Sequence, residues 1–250
     1  VVNALNLPTQ LRGRHGDPHQ RVQGVVDQVL EGTDRPRVLE AGCGSLSRVN
    51  LPNQRVLVGI DIEQRQLDRN TSLDEKILGD LQTMATPVSG YDLVLCWDVI
   101  EHLPSPMQAL ERMTAALNPG GGLVLAFPHL WSLKGLLTKF TPYFVHALFY
   151  RYIVGDKRRS DEWDQFPTFF RASIAPARLR AWAAQHGLEV AYDEIYEGPV
   201  QTALRSRNRL LDTSFAALGA ASRVMSFGRL DLGLSDCVLV LRRPSFTAGV

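Results

Sequence analysis

Val38-Leu39-Glu40-Ala41-Gly42-Cys43-Gly44-Ser45 joins an apolar, buried-strand pattern to two closely spaced glycines. Glycines at a strand end let the chain turn sharply and let backbone approach a ligand that a Cβ would exclude. Further on, Val56-Leu57-Val58-Gly59-Ile60-Asp61 repeats the strand pattern and ends on an acid. That is the position from which dinucleotide-type folds bond ribose hydroxyls.

A dehydrogenase reading must be tested against this pair, because it also uses a glycine-rich turn and a downstream acid. Its fingerprint opens a helix directly on G-x-G-x-x-G to receive a pyrophosphate. Here Gly44 is followed by Ser45-Leu46-Ser47-Arg48, with Leu46 where many such loops carry glycine, and Pro52 cuts short any helix. The turn therefore suits a nucleoside without a pyrophosphate, which points to S-adenosylmethionine. Leu39-Glu40-Ala41-Gly42-Cys43-Gly44 resembles the first motif of the class I S-adenosylmethionine-dependent methyltransferases.

Three more segments extend the resemblance. Ile77-Leu78-Gly79-Asp80-Leu81 looks like the strand end whose acid bonds the adenine amino group in that family. Tyr91-Asp92-Leu93-Val94-Leu95-Cys96-Trp97-Asp98-Val99-Ile100-Glu101-His102-Leu103 is similar to the fourth strand and loop of ubiquinone-type O-methyltransferases and their bacterial relatives. Leu117-Asn118-Pro119-Gly120-Gly121-Gly122-Leu123-Val124-Leu125-Ala126 looks like the following turn and fifth strand. The likeness is close over residues 36–128 and holds only in outline elsewhere. It implies an α/β fold: a doubly wound, seven-stranded, mostly parallel sheet of the Rossmann-like methyltransferase kind, with a helical lid.

The 250 residues suit one elaborated domain, 1–250, and the 45% hydrophobic fraction is ordinary for a globular chain. A formal charge of +1 gives nucleic acid no electrostatic footprint. Cys43, Cys96 and Cys237 lack CxxC spacing and read as reduced, buried side chains. No apolar run approaches the ~20 residues that span a bilayer, and the first residues lack a signal-peptide layout. A cytoplasmic protein is expected, with any membrane contact peripheral and through the lid; the oligomeric state is not legible.

Val22, Val25, Val26, Val29 and Leu30 form a helical stripe over 20–31, closed by Gly32. Ser105-Pro106 offers an N-cap and an N1 proline to a helix with Met107, Leu110, Met113, Ala116 and Leu117 on its apolar face, ended by Pro119-Gly120. Pro176 to His186 reads as a helix with Gly187 at C′, followed by strands at 188–196 and 237–241. Two insertions interrupt the alternation. Residues 129–173 are rich in aromatics around a polar tract at 155–162, and 201–228 read as helical. Both follow late strands and should rise beside the carboxyl-end crevice where such sheets bind ligands.

The resemblance assigns roles residue by residue. Gly42 and Gly44 let backbone approach the methionine half of the cofactor, Asp61 takes the ribose hydroxyls, and Asp80 with the Leu81 amide reads adenine. Ile62 suits the adenine face. Glu40 either contacts the cofactor or holds the glycine turn through loop amides; Asp98 either faces the methionine amino group or caps the next segment.

Methyl transfer to a hydroxyl needs alignment and a base. His102, after the fourth strand, and His129, after the fifth, are both placed for it, and each has an alternative reading as a loop-ordering histidine. Glu101-His102 with Asp98 also admits a magnesium reading, through likeness to related O-methyltransferases, although no other residues show ligand spacing. His146, Tyr150 and Arg151 in the aromatic insertion are candidates for substrate contact or for lid core. His15, His19 and His186 read as surface or helix-end residues. The aromatics with Arg151, Lys157, Arg158 and Arg171 suit a saccharide, glycolipid or secondary-metabolite acceptor, or a quinone or lipid acceptor at a membrane surface. A chain that binds the cofactor without transferring its methyl group, as a cyclase or binding module, is the reading from a different class.

Overall fold

A computed structural model describes residues 11–13, 18–45, 49–83, 89–132, 135, 168–169, 171–228 and 230–245. In chain order the elements are β1 (Leu11–Gly13), α1 (Pro18–Leu30), β2 (Arg37–Ala41), β3 (Val56–Asp61), α2 (Gln64–Arg69), β4 (Glu75–Leu78) and β5 (Tyr91–Trp97). They continue with a 3-10 turn (Ile100–His102), α3 (Pro106–Ala115), β6 (Leu117–Pro128), a second 3-10 turn (Ala172–Ile174), α4 (Pro176–Gln185), β7 (Glu189–Tyr196), α5 (Pro199–Arg207), α6 (Arg209–Met225) and β8 (Asp236–Arg242).

One sheet runs β4-β3-β2-β5-β6-β8-β7-β1. All its pairs are parallel except those of β8, which runs antiparallel to both β6 and β7. The seven expected strands are present, and β1 adds an eighth at the edge, pairing Leu11 to Glu194 and Gly13 to Tyr196. Strand order reverses between β2 and β5, so the crevice of a doubly wound sheet opens at their carboxyl ends.

Alternate residues of each strand enter two cores. Leu39, Val58, Ile60, Val94, Leu125 and Leu239 face α3 and α4 through Leu110, Met113, Leu179 and Trp182. Val38, Leu57, Leu93, Leu95, Val124 and Val240 face α1 through Val22, Val26 and Val29. Burial on both faces is why the strands read as continuous apolar runs in place of an alternating pattern.

At α3 the expected N-cap and N1 proline hold in position, and the expected helix end is corrected. Ser105 occupies the N-cap of α3, yet its side chain makes no cap hydrogen bond; its amide instead donates to Gln82 Oε1 at 2.8 Å. The helix stops at Ala115, before Pro119-Gly120, because Leu117 already pairs with Tyr91 and the residues up to Gly122 bulge out of the ladder. Residues 201–228 are helical as expected, in α5 and α6. Most of the 129–173 insertion, with His146, Tyr150 and Arg151, lies outside the described residues.

Candidate functional site

The glycine turn hangs from β3. The Gly42 and Cys43 amides both donate to Ile60 O, at 2.8 and 3.1 Å, and the Gly44 amide donates to Asp61 Oδ2 at 2.9 Å. Gly42 and Gly44 have φ of +72° and +51°, in the left-handed region that a side chain disfavours. Their surroundings differ. A Cβ on Gly42 would lie 2.4 Å from Val99 Cγ2, whereas a Cβ on Gly44 would meet nothing within 4 Å. Val99 thus excludes a side chain at Gly42, and the open side of the turn is at Gly44.

Asp61 is buried at the end of β3 and takes a second amide, from Glu63 to Oδ1 at 2.9 Å. Each carboxylate oxygen has two acceptor positions, so one per oxygen is left for a hydroxyl donor. The turn reading and the ligand reading of Asp61 are therefore compatible. Glu40 is buried at the end of β2, in register with Gly59 and Leu95. Burial pushes the Cys43 thiol up to about 12, and the negative charges of Asp61 and Glu40 add to the shift. Both carboxylates thus act on the turn, and Cys43 stays protonated.

At the end of β4, Asp80 Oδ1 accepts from the Gln82 amide at 2.8 Å and from Gln82 Nε2 at 3.0 Å. Leu81 sends its side chain into the core, which leaves its backbone at the rim. Ile62 and Leu78, at the ends of β3 and β4, are each 55% exposed. Two apolar side chains held open to solvent beside Asp61 and Asp80 form a surface that a flat heterocycle can cover.

At the end of β5, Asp98 is exposed with φ of +55°, and its amide donates to Ala126 O at 2.8 Å. Left-handed backbone is tolerated by Asp better than by most residues, and here it marks the site rim. Glu101 is buried with Oε1 3.8 Å from His102 Nε2, and His102 Nδ1 lies 3.4 Å from Thr168 Oγ1. The end of the 129–173 insertion rests on this loop: the Phe169 amide donates to Glu101 O at 2.9 Å, and Arg171 Nε to Pro104 O at 3.1 Å.

His129 is buried in a tight turn, its amide donating to Ser235 O at 2.8 Å and its carbonyl accepting from Ser132 Oγ at 2.7 Å. Burial, then the charges of Asp236 and Asp98, pushes the Tyr196 hydroxyl above its ordinary range. The ends of β5, β6 and β7 and the start of β8 thus converge on this side of the crevice. Among the described residues no group of three His, Cys, Asp or Glu side chains is placed to hold a metal ion, and the magnesium reading has no support.

Three contributors escape local sequence reading. Asn70, almost fully buried, donates from Nδ2 to Gly44 O at 3.2 Å and braces the turn from the end of α2. His19 of α1, read as a helix-end residue, stacks on Trp97 with centroids 5.1 Å apart and planes at 14°. Val99 seals the underside of Gly42. Asn70 and His19 lie outside the quoted motifs, and Trp97 and Val99 lie inside the Tyr91–Leu103 stretch without a contact that spacing reveals.

The open Gly44, the hydroxyl-accepting capacity of Asp61, the apolar pair Ile62 and Leu78, and the row of carboxylates at the strand ends fit S-adenosylmethionine, which carries ribose, adenine and a cationic sulfonium. Comparison with known proteins agrees. Residues 14–192 match the family model described as methyltransferase domain, and the chain belongs to that family. It is a class I S-adenosylmethionine-dependent methyltransferase in fold and family. It is 27% identical over 183 residues to the ubiquinone biosynthesis O-methyltransferase of Bordetella bronchiseptica, covering 66% of this chain and 67% of that one. With the Xanthomonas axonopodis protein of the same name it shares 27% over 184 residues, 70% of each. The chain spans about two thirds of the length of these relatives. The fold is similar to the [4+2]-cyclase SpnF (TM-score 0.53, 15% identity, covering 90% of this chain and 80% of that one). It is also similar to the plantazolicin methyltransferase BpumL in complex with SAH (TM-score 0.52, 13% identity, 90% and 82%).

Proposed function

We propose that this chain methylates a hydroxyl oxygen of a ring-bearing small molecule. The observation that carries the reading is the line of acids Glu40, Asp61, Asp80 and Asp98 at successive strand ends of one crevice, with Gly44 open beside them. Such a rim attracts a cation and a ribose and repels a pyrophosphate.

S-adenosylmethionine supplies an already activated methyl group, so the chain's own work is alignment and removal of the hydroxyl proton. Asp61 holds ribose hydroxyls, Asp80 and the Leu81 amide read adenine, and Glu40 and Asp98 favour the cationic end. His102 takes the proton. Its half-buried ring, beside the Glu101 carboxylate and Thr168, sits between cofactor rim and insertion. His129 is the second candidate; its backbone is committed to a buried turn. The aromatic and basic composition of residues 129–173, with His146, Tyr150 and Arg151 among them, suits contact with the acceptor.

The names of the relatives favour a hydroxylated aromatic of the quinone-precursor type, and the basic and aromatic composition of 129–173 also accommodates a saccharide or secondary metabolite. The likeness to SpnF keeps a non-transferring role as the second reading. Formation of S-adenosylhomocysteine and a methylated product from a panel of phenolic, saccharide and polyketide acceptors supports transfer. Tight binding of S-adenosylmethionine with no methylated product from any of them favours the second reading.

A further inference from the structure

The end of the 129–173 insertion is pinned along the loop after β5, next to one side-chain contact. The Phe169 amide donates to Glu101 O at 2.9 Å, Arg171 Nε donates to Pro104 O at 3.1 Å, and the Arg171 guanidinium lies 5.7 Å from the Phe169 ring centroid. The contact these bonds hold in place is Thr168 Oγ1 to His102 Nδ1, at 3.4 Å. From the other side the 3-10 turn fixes the histidine, whose amide donates to Val99 O at 2.9 Å. The His102 side chain is 27% exposed, so the ring is held without being sealed.

The two ring nitrogens face different partners. Nε2 lies 3.8 Å from Oε1 of Glu101, a buried carboxylate. A carboxylate only accepts, and a neutral imidazole carries one N–H and one lone pair. The proton is therefore favoured on Nε2, because a lone pair there would face negative charge across a poorly screened gap. That puts the lone pair on Nδ1 and makes the Thr168 hydroxyl the donor of its contact. A donor hydroxyl within hydrogen-bonding distance of the basic nitrogen is the arrangement that a hydroxyl acceptor itself needs for removal of its proton.

We infer that Nδ1 is the nitrogen of His102 that takes the acceptor's proton, and that the Thr168 hydroxyl holds the acceptor's place on it until the acceptor displaces it. This rests on the reading of His102 as the base, and adds which atom acts and what that atom must first release. The acceptor hydroxyl then gives its proton to Nδ1 as its oxygen takes the methyl group, and S-adenosylhomocysteine leaves with a neutral sulfur. Rotation about the Thr168 Cα–Cβ bond moves Oγ1 off the nitrogen without movement of the backbone.

Nitrogen-15 NMR of the histidine rings in the full chain, without acceptor and above the histidine titration range, reads the tautomer directly, with His102→Gln identifying the signals. The His102 proton should be on Nε2; an Nδ1–H tautomer overturns the inference whether or not the chain turns over any acceptor. Thr168→Val removes the hydroxyl at nearly constant volume and should lower KM for catechol, as a phenolic probe, by roughly threefold to tenfold, the worth of one hydrogen bond. Thr168→Ser keeps a hydroxyl and should keep the wild-type KM. An unchanged or raised KM in Thr168→Val also overturns the inference. Turnover and pH dependence that both survive in His102→Ala mark failure of the base reading itself, and the inference falls with it; the NMR result separates that failure from a wrong choice of nitrogen.

Discussion

The Gly44 amide donates to Asp61 Oδ2 at 2.9 Å, so the acid that closes β3 also fixes the turn that closes β2. These residues are seventeen apart in sequence, and the parallel pairing of Ala41 with Ile60 brings them together. The same carboxylate thus sets the shape of the glycine turn and presents acceptors to a ligand beside it.

Asp61→Ala should therefore fail twice. Two amides, of Gly44 and Glu63, lose their acceptor, which costs about 1–3 kcal/mol of stability in urea denaturation. S-adenosylhomocysteine affinity should fall by a further ~1.5–3 kcal/mol in calorimetry, through lost charge-assisted hydrogen bonds. Unchanged affinity in a folded variant would remove Asp61 from the ribose site.

Gly42→Ala places a Cβ 2.4 Å from Val99 Cγ2 at a φ of +72°. The clash and the backbone strain together should lower stability by roughly 2–4 kcal/mol. Adding Val99→Ala relieves the clash but leaves about 1 kcal/mol of strain. Denaturation of the single and double variants checks this; equal loss in both would mean that Val99 does not set the requirement.

Alkaline pH should destabilise the fold. The Cys43 thiol is raised from 9.0 to about 12 by burial, then by Asp61 and Glu40, and Tyr192 is raised from 10.0 to about 12 by burial and the Glu194 hydrogen bond. A raised acid keeps its proton when folded and loses it when unfolded, so its contribution is complete below pH 9 and is lost as pH climbs toward 12. The urea midpoint should hold through neutral pH and fall above about 9, less steeply in Cys43→Ser. Native Cys43 should resist alkylation at pH 8; rapid labelling there would show an accessible thiolate.

The strands, the glycine turn and the helices α1, α3 and α4 were legible because each carries a local pattern of apolar spacing or Gly and Pro punctuation. β1 was not. Leu11-Arg12-Gly13 is too short for a periodicity and is made a strand by Glu194 to Tyr196, far along the chain. Ser105 stands at the N-cap that its chemistry suggests, yet its side chain makes no cap hydrogen bond and its own amide donates to Gln82 from the loop after β4. In the site, the acids could be read from their positions after apolar runs. Asn70, Val99 and the His19–Trp97 stack act through contacts between elements, which spacing does not encode.

His102 separates base catalysis from alignment alone. His102→Ala should cut turnover by about a hundredfold to ten-thousandfold with cofactor affinity intact, and the single ionisation on the rising limb of the pH–rate profile should disappear. His129→Ala, in a buried turn, should act chiefly on stability. If His129→Ala alone abolishes that ionisation, the base is His129.

The central claim is that the acid-lined rim receives S-adenosylmethionine and not a dinucleotide. Calorimetric titration of the wild-type chain with S-adenosylhomocysteine and, separately, with NAD tests it most directly. The account predicts saturable binding of one S-adenosylhomocysteine per chain and no heat of binding with NAD; tight NAD binding, or no S-adenosylhomocysteine binding by the folded protein, would contradict it.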